Sequence, residues 1–276
     1  MNIAFSVLSW NVEKFGTKGD EHTARILDTV STKTPDLVAF YETKPSAVWL
    51  PLMQQLDDYA WYITEGKQSQ ETLLGVKNDL NVFVTQRTEF KTRDAYYRPG
   101  LLCTVLVDDS VYPVLFLHLA SLRDPKGFGR RQEQLDAAFD FKRTLDKSAP
   151  GASSNYMFVG DLNAMGLDFK YFQPASGQHY QRVRVAAEQE LERLAWQADR
   201  HGMRLLKKSH DQTWRNAGGT RSDLDHVVAA DHLQFTQQAG SDVLVEGWVN
   251  RPVAEQRDWL TRYSDHALLY FEVRKV

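Results

Sequence analysis

A stack of mixed β-sheets flanked by helices is the architecture this sequence predicts. Three observations predict it. Short apolar runs rich in Val, Ile and Phe recur along the whole chain, two longer stretches repeat apolar residues at helical spacing, and the two kinds of segment alternate irregularly instead of one helix per strand. In chain order the strand candidates are residues 3–8, 37–41, 61–63, 80–85, 101–107, 114–118, 156–159, 224–230 and 267–273. Residues 131–146 form a helix candidate because Leu135, Ala138, Phe141 and Leu145 recur at three and four; residues 183–202 form another through Ala187, Leu191, Leu194, Ala195 and Ala198. Shorter helices are predicted over residues 21–31, starting near Asp20, and 46–57, where Ser46 follows Pro45 as a cap candidate. Pro99-Gly100, Pro150-Gly151 and Asn216-Ala217-Gly218-Gly219 fall between periodic segments and read as turns, so one domain over residues 1–276 is expected.

The 276 residues carry 33 Lys plus Arg against 36 Asp plus Glu, a formal charge of −3, with 42% hydrophobic and 25% charged residues. That balance is ordinary for a folded soluble protein and excludes disordered, collagen-like and disulfide-scaffold chains. It argues against a protein held on nucleic acid by bulk positive charge, while leaving room for an enzyme that grips a few phosphates locally. The single cysteine, Cys103, lies inside the apolar run 101–107; it excludes an internal disulfide framework, reads as a buried small hydrophobe and suits a reducing, cytoplasmic compartment. The apolar first ten residues lack a basic start and a cleavage site, so they read as a strand; no run approaches the roughly 20 residues of a membrane span.

Polar and ionisable residues gather at the ends of the apolar runs. Asn11 and Glu13 follow Val7-Leu8-Ser9-Trp10, Glu42 follows Val38-Ala39-Phe40-Tyr41, and His118 follows Val114-Leu115-Phe116-Leu117. Gly160-Asp161-Leu162-Asn163 follows Met157-Phe158-Val159, Asp223 and Asp225 precede Val227-Val228, and Ser264-Asp265-His266 precedes Ala267-Leu268-Leu269. If the runs are neighbouring strands, these ends converge on one rim and bring carboxylates, amides and two histidines into one pocket. Oxygen ligands without cysteine suit Mg²⁺ or Mn²⁺, and imidazoles beside them supply acid–base function near neutral pH. Singly, each residue has an ordinary explanation: Glu42 a solvated strand end, Asp161 the start of an Asx turn, Asn163 a turn residue, His266 a hydrogen-bonded core histidine.

Order and wording add to this. The segments Ser9-Trp10-Asn11-Val12-Glu13, Phe40-Tyr41-Glu42-Thr43-Lys44, Phe116-Leu117-His118-Leu119-Ala120-Ser121, Gly160-Asp161-Leu162-Asn163-Ala164, Ser222-Asp223-Leu224-Asp225-His226-Val227 and Ser264-Asp265-His266 resemble, in order, the signature blocks of the endonuclease/exonuclease/phosphatase superfamily. The resemblance spans residues 3–273 and implies a deoxyribonuclease I-like, four-layer α/β/β/α sandwich that hydrolyses phosphate esters with a divalent cation. It implies that Asn11 and Glu42 hold the metal with Asp265 nearby, and that Glu13, where the family often has Asp or Asn, is an outer or second ligand. Asp161 and Asn163 would position the attacking water and the scissile phosphate; His266, oriented by Asp225, would be the catalytic imidazole. His118 is similar to the histidine of deoxyribonuclease I-like and sphingomyelinase-like members, which abasic-site repair enzymes often lack, and Arg98-Pro99 resembles a phosphate-contacting Arg of the former. The acidic partner of that first histidine has no clear match; Asn78, Asp79 and Asn81 lie in its region, and Asn81 joins Arg98, Trp214 and Arg221 as a candidate substrate contact.

Nucleic acid is the expected substrate. Thr213-Trp214-Arg215-Asn216 and Gly218-Gly219-Thr220-Arg221 precede the Asp-rich block as aromatic and basic residues do in nuclease members, with Trp214 placed to stack and Arg215 or Arg221 to touch phosphate. Core packing explains Trp214 equally well. Lys126, Arg130, Arg131, Arg182 and Arg184 read mostly as solvated faces. The alternative is a phosphatase or phosphodiesterase acting on a small or lipid-derived ester; the inositol polyphosphate subgroup is disfavoured because Ser222-Asp223-Leu224-Asp225-His226 stands in place of its aromatic-Cys-Asp-Arg block. A binding module without catalysis is disfavoured by the presence of every core block. Residues 166–206, with Phe169-Lys170-Tyr171-Phe172 and a long helix, depart from the shorter link expected and read as helix packing over the sheet.

Overall fold

The computed structural model describes residues 2–276 except 45, 47, 67–69, 93, 95, 96 and 174–178. Its first half runs β1 (Ile3–Phe15), α1 (Asp20–Lys33), β2 (Leu37–Thr43), α2 (Trp49–Gln55), β3 (Tyr59–Ile63), β4 (Glu71–Lys77), β5 (Asn81–Arg87), β6 (Gly100–Val107), β7 (Ser110–His118) and α3 (Pro125–Asp146). The second runs β8 (Met157–Asp161), β9 (Leu167–Gln173), β10 (His179–Val185), α4 (Ala187–Arg200), β11 (Met203–Leu205), β12 (Trp214–Arg215), β13 (Arg221–Ser222), β14 (Asp225–Ala230), β15 (Leu244–Glu246), α5 (Val253–Arg262) and β16 (Leu268–Arg274).

Two six-stranded sheets form, in the orders β15-β16-β1-β2-β4-β3 and β11-β14-β8-β7-β6-β5. The central pair of each is parallel, β1 with β2 and β7 with β8, and their neighbours β16 and β14 run antiparallel. One rim therefore collects the C-terminal ends of four strands and the N-terminal ends of two more.

Period-two alternation builds the layers. Val114 and Phe116 of β7, Met157 and Val159 of β8, and Val227 and Ala229 of β14 point into a core shared with Val7, Phe40 and Leu73 of the first sheet. Their alternates Leu115, Leu117, Phe158 and Val228 pack outward on Leu135 and Phe139 of α3 and Leu194 and Ala198 of α4. Ile26, Leu27 and Val30 of α1 cover the first sheet. The result is the four-layer α/β/β/α sandwich expected. Gly160 makes the site end of the parallel pair possible: at its φ of +150° an added Cβ would lie 1.9 Å from the Leu117 carbonyl oxygen, so any side chain there would push β7 and β8 apart.

Several boundaries differ from expectation. α3 begins at Pro125 rather than 131, because the Asp124 side chain accepts from the Gly127 N–H and Pro125 opens the first turn. Residues 183–185 belong to β10, where Val183 faces Phe169; Gln181-Arg182-Val183-Arg184-Val185 alternates with period two, and α4 starts only at Ala187. α2 is shorter than 46–57 and its N-cap is Val48 without a side-chain cap bond, so Ser46 does not cap it; Pro45 lies outside the described residues. β4, with Leu73, Leu74 and Val76 buried, is a strand beyond those expected. Cys103 is buried and free, and among the described residues no helix is long and apolar enough to cross a membrane.

Candidate active site

Register sets three site residues side by side, because His118 of β7 and Asp225 of β14 are both Cα partners of Asp161 on β8. Directly paired residues project to the same face of a sheet. Asn11 and Glu42 reach the same rim from β1 and β2, and His266 arrives just before β16. Asp161 is the hub. Its Oδ2 accepts from Asn11 Nδ2 at 3.0 Å and lies 3.5 Å from His118 Nε2 and 3.8 Å from His266 Nε2, while its Oδ1 takes the Asn163 backbone N–H at 3.2 Å. His266 Nδ1 meets Asp225 Oδ2 at 2.8 Å. The Ser-Asp-His turn is tied to β1: Ser264 Oγ donates to the Asn11 carbonyl at 2.6 Å, and Trp10 Nε1 donates to the His266 carbonyl at 3.0 Å. Glu42 at φ 62° and Asn163 at φ 51° both hold left-handed backbone, which asparagine tolerates readily and glutamate does not.

Among the described residues Glu42 is met by amides alone, Asn11 Nδ2 at 3.4 Å and Gln70 Nε2 at 3.2 Å. Gln70 in turn accepts from Arg98, through its carbonyl at 2.6 Å and its side-chain oxygen at 3.1 Å, and so carries the guanidinium to the edge of the carboxylate cluster. These groups line one cleft of 430 Å³, with Ser121, Arg123, Trp214, Thr220 and Asp265 on its walls.

The charges sort themselves. Burial raises Asp161 above the ordinary carboxylate range, against the opposing pull of His266. Burial alone would lower His266, but the carboxylates of Asp225 and Asp161 outweigh it and hold the imidazole above its usual range. For Asp225 burial is again opposed, and the charge and hydrogen bond of His266 keep it ionised. Burial, then the charges of Arg98 and His266, push His118 well below its ordinary value, so it stays neutral with Nδ1 unpaired among the described residues. Two imidazoles on one carboxylate thus hold different protonation states.

A third buried histidine supplies a pH prediction. Burial and then the neighbouring Lys208 ammonium push His226 down to about 4. The unfolded chain binds a proton there below about pH 6.5 that the native fold refuses until about 4, so the contribution is whole above 6.5, declines as pH falls through that window, and is flat below it. It amounts to about 3 kcal/mol. Urea unfolding measured across pH 4–7 should show wild type losing about 3 kcal/mol more than His226→Asn on acidification; equal losses would contradict it.

Not every expected residue reaches the cleft. Glu13 turns away, forming an ion pair with Lys18 at 2.5 Å, and lines a neighbouring depression with Arg215. Asp265 lines both, its Oδ2 taking the Trp214 indole N–H at 2.8 Å. Arg221 leaves for Gln256 at 3.3 Å and lies over the Trp248 ring. Asn81 is a correction: it pairs with Leu106 and is exposed, while the Arg87–Gly100 end of the same antiparallel pair points to the rim, so Asn81 sits at the far end of the sheet. Asn78 donates to the Asp57 carbonyl, so neither orients His118. Gln70 and Arg123 went unnoticed in the sequence because single polar loop residues carry no periodic signal, and Ser121 and Thr220 stood in the motif blocks without a role of their own.

A hard divalent cation fits these residues. The cleft offers carboxylate and amide oxygens and no thiolate. Asp161, Asp225 and His266 present ligand atoms within 4.8 Å of one another, but His266 and Asp225 are already bonded together, which leaves the carboxylates of Glu42 and Asp161 facing the cleft, with Asn11 beside them and its Oδ1 accepting the Glu13 N–H at 3.1 Å.

No known family's sequence profile matches the chain, and no curated protein matches it in sequence. Solved structures do. D. rerio TDP2 complexed with single-strand DNA product is similar at TM-score 0.67 and 17% identity over 98% of this chain and 99% of that one. The AP endonuclease LMAP of Leishmania major gives 0.65 and 16% over 99% and 88%, and ANGEL2, a 2′,3′-cyclic phosphatase, 0.64 and 13% over 99% and 96%. The chain has the fold of these proteins, the fold that the resemblance in its motifs implied.

Proposed function

We propose that this chain is a divalent-metal-dependent phosphodiesterase that hydrolyses nucleic acid by in-line attack of water. The observation that carries this is the Asp161 hub, one buried carboxylate oxygen within 3.0–3.8 Å of Asn11, His118 and His266 at the base of an open cleft. A Mg²⁺ or Mn²⁺ held by Glu42 and Asn11, with Asp265 at the edge, would neutralise the phosphate and stabilise the leaving oxygen. Asp161, its proton affinity raised by burial, orients the water and accepts its proton; Asn163, held through Leu119 and Asp161, fixes the geometry beside it. The resemblance gives the proton transfer to His266 as the catalytic imidazole, with Asp225 orienting it. The charge distribution supports Asp161 instead, because an imidazolium paired with Asp225 has no free lone pair, and its place is to oppose the charge building on the phosphoryl oxygens. Neutral His118 donates to the same group, and Arg98 adds charge from the rim.

Trp214 beside the cleft and the single-strand DNA held by the similar D. rerio TDP2 support nucleic acid as substrate. A cytoplasmic setting belongs to the same proposal and rests on the lone free Cys103. Purified protein is offered supercoiled plasmid and a fluorescent single strand with Mg²⁺ or Mn²⁺, against EDTA. Cleavage that EDTA abolishes is expected. Intact DNA together with turnover of a small ester such as a nucleoside 2′,3′-cyclic phosphate would overturn the nucleic-acid reading in favour of the small-substrate one.

A further inference from the structure

The β9–β10 hairpin stands outside the two sheets, and among the described residues its strands pair only with each other. Its root is fixed beside the cleft: the Asp168 N–H donates to the carbonyl of Arg123, a residue that lines the cleft wall, and Gly166 is held by Glu190 and Arg131. The cross-strand pairs Asp168–Arg184, Lys170–Arg182 and Phe172–Tyr180 share one face by register. Nearest the cleft, Asp168 takes two hydrogen bonds from Arg182, which hold its carboxyl below the ordinary range, with the charges of Arg123 and Arg184 adding to them. One carboxylate therefore sits among three cations, Arg182, Arg123 and Arg184, on a chain whose overall charge is −3. Further out, about 13 Å along the strands, Phe172 and Tyr180 meet edge to face at 5.6 Å and are 48% and 75% exposed. Two large aromatic rings left in water beyond a row of cations serve no core.

We propose that this face of the β9–β10 hairpin is a binding arm for single-stranded nucleic acid, continuing the cleft at Arg123 outward through Lys170 and Arg184 to the Phe172–Tyr180 pair. The arm rests on the nuclease reading for what it delivers to the cleft. Phosphates lie along the cations and unstacked bases lie on the rings, the sequence-tolerant combination that single strands use. A duplex keeps its bases stacked and offers the rings nothing, so the arm favours single strands over duplex.

The test uses the whole chain. Wild type, Phe172→Ala/Tyr180→Ala and Lys170→Gln/Arg184→Gln are titrated in EDTA onto a fluorescent oligothymidylate of about ten nucleotides and onto phosphatidylserine vesicles. In parallel, metal-dependent hydrolysis of bis(p-nitrophenyl) phosphate, too small to reach the arm, and thermal melting are recorded. The aromatic variant should bind the oligonucleotide about 10-fold or more weakly, and the basic variant should flatten the salt dependence by about 1.4 in slope. Both should keep wild-type turnover of the small diester and wild-type melting. Oligonucleotide binding unchanged in both variants overturns the arm, as does arm-dependent binding of vesicles with none of oligonucleotide. Arm-dependent binding by a wild type that hydrolyses no phosphodiester would sustain the arm and remove the nuclease reading, so the two can fail separately.

Discussion

Asp161→Asn should abolish metal-dependent cleavage, lowering kcat on the order of 10³-fold or more, while the protein melts at or above the wild-type temperature. The two halves have one cause. Asp161 is buried, its burial disfavours the carboxylate, and the fold holds that charge at a cost repaid only in part by Asn11 and His266. An amide of the same shape removes the cost and keeps the Asn163 turn, but it accepts no proton and leaves the His266–Asp225 pair without its second counter-charge. Stability gained with activity lost is what a strained catalytic group predicts. Single-turnover cleavage beside a thermal melt checks it; activity within 10-fold of wild type would take Asp161 out of the proton transfer, and a large drop in melting temperature would make it structural.

Much of this rim was legible because strand ends are legible. A run such as Val114-Leu115-Phe116-Leu117 that stops at His118 marks the edge of a sheet, and six such edges in order are enough to imply one cleft. Direction was harder. Glu13 lies two residues from Asn11, but β1 carries Glu13 and Lys14 at φ 46° and 59°, and that twist sends the Glu13 side chain to Lys18 instead of Glu42. Asn81 shows the same gap: a strand candidate over 80–85 does not say which of its ends meets the rim, and antiparallel pairing with β6 put Asn81 at the wrong one. Two periodicities overlapped at 183–185, where alternating Arg and Val ran straight into the helical spacing of Ala187, Leu191 and Leu194. The arm was hidden for that reason, since a stretch read as helix has no cross-strand face.

Arg131 is the largest departure from the reading of basic residues as solvated helix faces, and replacing it should cost about 3–5 kcal/mol. The side chain is fully buried, and its guanidinium spends every N–H. Nε and Nη2 grip the two oxygens of Glu190 at 3.0 Å each, Nη1 donates to the Ala120 and Leu122 carbonyls at 3.2 and 2.6 Å, and Nη2 also reaches the Gly166 carbonyl at 2.9 Å. Glu190 takes Gln132 and the Gly166 N–H in addition. One ion pair thereby joins α3, α4, the turn after His118 and the root of the hairpin. Arg131→Met strands a carboxylate in the interior and orphans three carbonyls; Arg131→Lys keeps the charge but has three donors and no fork, so it should rescue little. The double variant Arg131→Met/Glu190→Leu removes the lone carboxylate and should recover part of the loss, leaving the carbonyl share. Urea unfolding of the three variants measures each term, and a loss under about 1 kcal/mol for Arg131→Met would mean that water replaces the clamp. Because Ala120 lies two residues from His118 and Gly166 opens the arm, cleavage and oligonucleotide binding should fall together in Arg131→Met although its side chain touches neither surface.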